Sequence, residues 1–163
     1  MRIRRRILRV TANPVRVKEA ASVELPQGAP AVWSFMWDPA SCVKLFETTE
    51  IGVTLPGSPK GVGEIQVTVD RTDHGRVGNL HEVVEVEPGR RAVTRSLVSG
   101  CPSWGALTIE SLRPDACRLT QEFWADIPAG VPVETVHQLH DDYKKMLGVM
   151  MRRLAELAVD PLT

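Results

Sequence analysis

The chain has 163 residues, with twenty basic and twenty acidic side chains and no net formal charge at neutral pH. That length fits one domain, which would bury roughly 70% of the surface its unfolded chain exposes. The balanced charge gives no global pull toward nucleic acid or an anionic membrane, and no apolar run approaches the ~20 residues of a membrane span.

The opening segment, MRIRRRILRV, is locally basic. Its Arg pair has the look of an export signal, but TANPVRVKEA recharges the chain where the apolar region of such a signal should stand. Residues 1–15 therefore read as an arm or an extra edge strand, and 16–160 as the domain proper. Cys42, Cys101 and Cys117 are an odd number without metal-type spacing, as expected for reduced thiols in a cytoplasmic protein.

Arg16–Leu25 is extended in pattern and stops at Pro26. Pro30 stands where a first helical turn tolerates proline, and Val32, Phe35 and Met36 follow at helical spacing. Asp38-Pro39 ends that helix, because the residue before proline is driven out of the α region. Ser41–Phe46 predicts a second short helix, and Leu55–Gly63, rich in Pro and Gly, a loop. From Glu64 the period becomes two: Ile65, Val67 and Val69 alternate with Glu64, Gln66, Thr68 and Asp70, as in a half-buried strand. RTDHGR predicts a turn. Asn79–Glu87, Arg91–Ser99, Trp104–Leu112 and Cys117–Ile127 follow as strands, separated by EPGR, GCPS and RPDA, which is the spacing of an antiparallel meander. A long amphipathic helix from Val133 to Val159 closes the chain.

Together these elements predict an α+β fold. A curved antiparallel sheet of about six or seven strands wraps around a long C-terminal helix, with two short helices after the first strand. Four stretches in this order carry a family resemblance: SVELPQGAPAVWSFMWDP, PGSPKGVGEIQVTV, HEVVEVEPGRRAV and YKKMLGVMMRRLAELA. From about Lys18 onward the chain resembles the START-like, helix-grip (SRPBCC) superfamily, in its polyketide cyclase/dehydrase and lipid-transport group. The resemblance implies a cavity between sheet and C-terminal helix whose lining decides function. It implies no shared catalytic motif and no cofactor.

Such a cavity has to be filled. An apolar void of ~300 Å³ would cost on the order of 7 kcal/mol at ~24 cal/mol per Å³, comparable with a whole domain's ~5–15 kcal/mol. Polar residues in inward register are therefore the site candidates. In NLHEVVEVE, Glu82 shares a face with Leu80, Val84 and Val86; a bulge at Val83-Val84 would instead turn Asn79 and His81 inward. Arg95 has the parity of Val93 and Leu97, although Ala92 and Val98 define an equally good inner face. If Glu82 and Arg95 both face inward, they form a buried pair. Gln121 and Phe123 share the apolar parity of Leu119, Ala125 and Ile127. Trp33, Trp37 and Trp104 are aromatic candidates.

The cluster His137-Gln138-Leu139-His140-Asp141-Asp142-Tyr143 lies in the long helix. At 100° per residue the stripe Val136, Leu139, Tyr143, Leu147, Met150, Leu154 and Leu157 fixes its buried face. His140 falls inside that stripe and His137 at its edge, while Asp141 and Asp142 diverge on the exposed half. Diverging side chains do not make a metal site, so none is expected. His81, Glu82, Arg95, Gln121, Phe123, His140 and Tyr143 remain as ligand-binding candidates.

Three functions compete. The first is binding or transport of a small hydrophobic ligand, polyketide-, lipid- or isoprenoid-like. The second is a cyclase or aromatase acting on a poly-β-keto chain, with His81, His140 or Glu82 as base, Arg95 or Tyr143 at the enolate oxygen, and an acyl-carrier protein as a partner. The third is an interaction protein using its basic arm or an edge strand. No phosphate loop, GxSxG, CxxC or HExxH is present. A monomer or homodimer without nucleic-acid or membrane insertion is expected.

Overall fold

A computed structural model describes residues 9–158. Strand β1 (Val15–Leu25) leads into helix α1 (Ala29–Trp37), a 3-10 turn at Pro39–Ser41 and helix α2 (Cys42–Leu45). Strands β2 (Thr49–Thr54), β3 (Ile65–Thr72), β4 (Gly75–Glu87), β5 (Arg91–Ser96), β6 (Ser103–Arg113) and β7 (Ala116–Ile127) follow, and helix α3 (Val133–Leu157) ends the fold. The seven strands form one antiparallel sheet in the order β1-β7-β6-β5-β4-β3-β2. Helix α3 lies on its concave face, mainly against β1.

The expected elements are present, with three differences. Strand β2 is not among the elements that the sequence predicts. Its apolar residues Ile51 and Val53 are exposed and its small or polar residues Thr49 and Gly52 are buried, so alternation by hydrophobicity points the wrong way. Strand β4 begins at Gly75 rather than Asn79; its first residues, paired with Val69–Thr72, are exposed and hold a single apolar residue, Val77, between two glycines and an arginine, which gives no alternation to read. Strand β5 stops at Ser96, short of Ser99.

Aspartate 38 caps the turn that ends α1, its carboxylate accepting from Ala40 N–H at 3.0 Å. Gly52 lets β2 pass under that turn, since a Cβ there would stand 1.9 Å from the Pro39 carbonyl oxygen. Of the basic arm, residues 1–8 lie outside the described residues. Arg9–Thr11 pair with the loop before α3, where Thr11 N–H donates to Val131 O and Val133 N–H to Arg9 O, both at 2.9 Å. The second bond satisfies one of the orphan donors at the start of α3.

The core joins β1, α1, α2, β6, β7 and α3. Leu25, Val32, Cys117, Leu119 and Leu154 are its fully buried members. At ~1.5–3 kcal/mol per fully buried aliphatic side chain, this half of the sheet anchors the helix. The β2–β5 half is not covered by α3 in the same way, and there the sheet and helix part to leave a cavity.

Candidate ligand-binding cavity

The cavity has a volume of about 560 Å³, within the range of small-molecule pockets. Its floor is the concave face of β2–β7. Its roof is α3 through Tyr143, Met146 and Met150, and its end wall is the α1–α2 segment through Trp37, Cys42 and Phe46.

The bulge considered for β4 is present. His81, Glu82 and Val83 pair with Ser96, Arg95 and Thr94, whereas Glu85 pairs with Val93, leaving Val84 as the extra residue. The phase slip turns Asn79, His81 and Val83 into the cavity, with Thr94 and Ser96 beside them on β5. Glu82 and Arg95 are consequently on the convex face. They meet there as cross-strand partners, Arg95 Nη2 donating to Glu82 Oε2 at 2.5 Å. The pair exists, but it is part of the outer surface and not of the cavity lining.

Gln121, Phe123 and Tyr143 border the cavity. Phe123 and Tyr143 are in tilted ring contact with centroids 5.8 Å apart. Gly105 makes room for them: a Cβ there would lie 3.2 Å from the Phe123 ring and 3.4 Å from Gln121 Nε2. His140 does face the sheet, but it does not border the cavity. Its Nδ1 contacts Glu19 on β1, and Lys144 stands 3.6 Å from the same carboxylate. His137, Asp141 and Asp142 are exposed on the far side of α3, and Gln138 Nε2 donates to Asp142 at 2.9 Å. Trp37 lines the end wall and stacks on Trp33, which does not border the cavity; Trp104 borders it and stacks on Trp124 across the β6–β7 pair.

The largest contribution that periodicity missed comes from β2 and β3. Gln66, Thr68 and Asp70 point into the cavity, while Ile65, Val67 and Val69 take the opposite face. This part of the sheet is inverted, polar inward and apolar outward. The polar side chains are tied together. Thr49 Oγ1 donates to Asp70 Oδ1 at 2.5 Å, Asn79 Nδ2 donates to Asp70 Oδ2 at 2.7 Å, and Gln66 Nε2 donates to Trp37 O at 3.2 Å and to Glu64 Oε1 at 3.1 Å. The signal available in the sequence was the run of hydrogen-bonding residues at alternate positions of a strand in the middle of a sheet.

Burial sets the protonation states. It holds the His81 imidazole below its ordinary value, with the nearby Asp70 charge opposing in part. It pushes Tyr143 up, and Cys42 up to about 11, the latter assisted by the charges of Asp70 and Asp38. At neutral pH the cavity therefore offers a neutral imidazole, a protonated phenol and an unreactive thiol. The His81 ring and the Tyr143 hydroxyl make no hydrogen bond to any described residue, so both remain open to a ligand.

A curved sheet gripping one long helix over such a cavity is an α+β helix-grip fold. Solved structures with this fold match the chain over most of its length. They include the ZhuI aromatase/cyclase from Streptomyces sp. R1128 (TM-score 0.73, 13% identity, covering 91% of this chain and 97% of that one). A START superfamily protein from Mycobacterium smegmatis gives 0.65 at 15% identity, over 86% and 98%. Truncated norcoclaurine synthase from Thalictrum flavum gives 0.66 at 13%, over 91% and 96%. No protein-family model matches the chain, and no curated protein does so in sequence. At these identities the likeness defines the fold alone. No helix among the described residues is long and apolar enough to cross a membrane.

Proposed function

We propose that the protein binds a flexible, oxygen-rich, otherwise apolar chain of the poly-β-keto type in its cavity and directs its cyclisation. The observation that carries this reading is the inverted wall of β2–β4. A saturated lipid laid against this wall would strip water from the Thr68 hydroxyl, and from those of Thr94 and Ser96 beside it on β5, and return nothing, at ~1–3 kcal/mol for each one left unpaired. A chain with a carbonyl on alternate carbons can accept from the hydroxyls of Thr68, Thr94, Ser96 and Tyr143, and its methylenes suit Phe123, Met146 and Met150. The aromatase/cyclase likeness supports this reading over simple carriage.

The chemistry needs little machinery. Folding the chain brings a nucleophilic carbon within reach of a carbonyl. His81, neutral through burial, takes a proton from the methylene between two carbonyls, and the carbanion forms a bond to the distant carbonyl carbon. The C=O electron pair moves onto oxygen, where the Tyr143 phenol is placed to donate a hydrogen bond. The proton held by His81 then passes to that alkoxide, giving the hydroxyl and restoring the base. Arg95, Glu82 and His140 take no part in this scheme, because none of them reaches the cavity.

The test is reconstitution with a minimal polyketide synthase that releases an unreduced poly-β-keto chain. Addition of the protein should convert a mixture of spontaneous products into one dominant cyclised product, and His81→Gln should abolish that shift while preserving the fold. A product mixture identical to the protein-free control would refute the cyclase. Retention of the unreacted chain by the protein in that experiment would favour the carrier.

A further inference from the structure

The charges on the cavity wall are all of one sign. Asp70 and Asp38 border it, no described Lys or Arg does, and the one imidazole on the wall, His81, is kept neutral by burial. Asp70 is held by two neutral donors, the Thr49 hydroxyl and the Asn79 amide. It has no ion-pair partner among the described residues. Those donors stabilise the carboxylate without cancelling its charge, so a negative field persists inside a space of about 560 Å³. Burial first, and then the charges of Asp70 and Asp38, disfavour the Cys42 thiolate on the same wall. Glu50, nearby on β2, is neutralised by Arg76 at 2.6 Å and Arg71 at 3.8 Å. Asp70 has no such cation, and Asp38 adds to the same negative wall.

From this arrangement we infer that Asp70 makes the cavity selective for ligands without a negative charge, excluding free carboxylic acids and admitting neutral or cationic molecules. Two carboxylates within one poorly screened cavity repel each other far more than they would in water. A neutral ester or amide meets no such repulsion, and an ammonium group supplies the counterion that Asp70 lacks. For a poly-β-keto chain the consequence is specific. Its acyl end must arrive masked, as a thioester or a similar neutral derivative, and a hydrolysed free acid is rejected. The inference rests on the cavity as a ligand site and not on cyclisation.

The test is calorimetric titration with three ligands of one shape, 2-naphthylacetic acid, 2-naphthylacetamide and 2-(2-naphthyl)ethylamine. At about pH 7.5 the acid is ionised and the amine protonated. The amide and amine should bind at least tenfold more tightly than the acid, and raising the salt concentration should narrow the gap only slightly, as for a shielded charge. Asp70→Asn should bring the three affinities within about threefold. Ser96→Lys leaves Asp70, Thr49 and Asn79 untouched and adds a cation to the same wall; it should improve acid binding at least tenfold relative to the amide. Equal affinities for acid and amide in the unaltered protein would overturn the inference, as would an unchanged preference in both variants. Failure of the cyclisation assay alongside a clear charge preference would remove only the reaction and leave the selectivity standing.

Discussion

Arg95 and Glu82 stand opposite each other on β5 and β4, joined at 2.5 Å on the convex side of the sheet, with their side chains 49% and 29% exposed. Each has other neighbours in register: Glu82 is opposite Ile65, and Arg95 is opposite Trp104. Water reaches both charges, so their attraction is weakened as at any surface. Glu82→Gln and Arg95→Met should each cost less than ~1 kcal/mol, with a coupling of ~0.2–1 kcal/mol in the double mutant. Urea melts of the two singles and the double provide the measurement; losses of ~3–5 kcal/mol, as for a broken buried pair, would contradict this placement.

The cluster on α3 divides by angle. His140 contacts Glu19, whose side chain is only 16% exposed, while Asp141 and Asp142 project into solvent. His140→Ala should therefore lower stability by roughly 1–2 kcal/mol, since it removes the imidazole packed against a mostly buried carboxylate. Asp141→Ala and Asp142→Ala should stay within ~0.5 kcal/mol. Thermal melts of the three variants under one condition will rank them, and an aspartate variant worse than the histidine variant would reverse the assignment.

Burial of His81 links stability to pH. Its folded pKa is below the unfolded value of ~6.5, so the unfolded chain takes up this proton first as pH falls. The stability associated with the neutral ring is fully present above about pH 6.5 and is lost as pH drops from there through the folded value. Relative to His81→Gln, the unaltered protein should lose melting temperature between about pH 7 and 5. Differencing the two profiles removes the carboxylates common to both. A flat difference would place His81 in a solvated position.

Strand period and turn chemistry made most of this fold legible. β1, β6 and β7 carry apolar residues on the core side, and α3 shows its stripe directly, because these elements pack against one another. The site was harder, for the same physical reason. Around a polar cavity the inward positions are those a periodicity rule assigns to solvent, so the pattern faces Gln66, Thr68 and Asp70 outward and gives no strand at β2. At β4 a single extra residue, Val84, decided between His81 and Glu82. The sequence allows that bulge without requiring it, and the phase of Arg95 followed from the same choice.

Two glycines with different surroundings test how closely β2 is clamped. A methyl at Gly52 would overlap the Pro39 carbonyl, a backbone atom of the turn that caps α1 and borders the cavity. Gly52→Ala should cost at least the ~1–3 kcal/mol typical of overpacking. Gly78→Ala meets nothing within 4 Å on the adjoining part of the sheet and should be neutral or slightly stabilising through the unfolded chain. Equal stability losses in the two variants, by denaturant melts, would mean the Pro39–Ser41 turn does not press on β2.

Gly105 offers the corresponding test of the cavity itself. Its missing Cβ leaves the space into which the Phe123 ring and the Gln121 amide settle, and Phe123 in turn meets Tyr143 at 5.8 Å. In Gly105→Ala the new methyl starts 3.2 Å from the Phe123 ring, so the ring has to yield by a few tenths of an ångström. It borders open space and can do so. The stability change should therefore be small, within ~1 kcal/mol, instead of the ~1–3 kcal/mol of overpacking in a closed core. The displaced ring moves toward the ligand space and shifts the surface on which Tyr143 rests. Binding of a bulky probe such as 2-naphthylacetamide should weaken by at least threefold, and in the reconstituted reaction the product distribution should change while the protein remains folded. Unaltered affinity with a large loss of stability would show that Phe123 and Gln121 are locked into the core and do not form a yielding wall of the cavity.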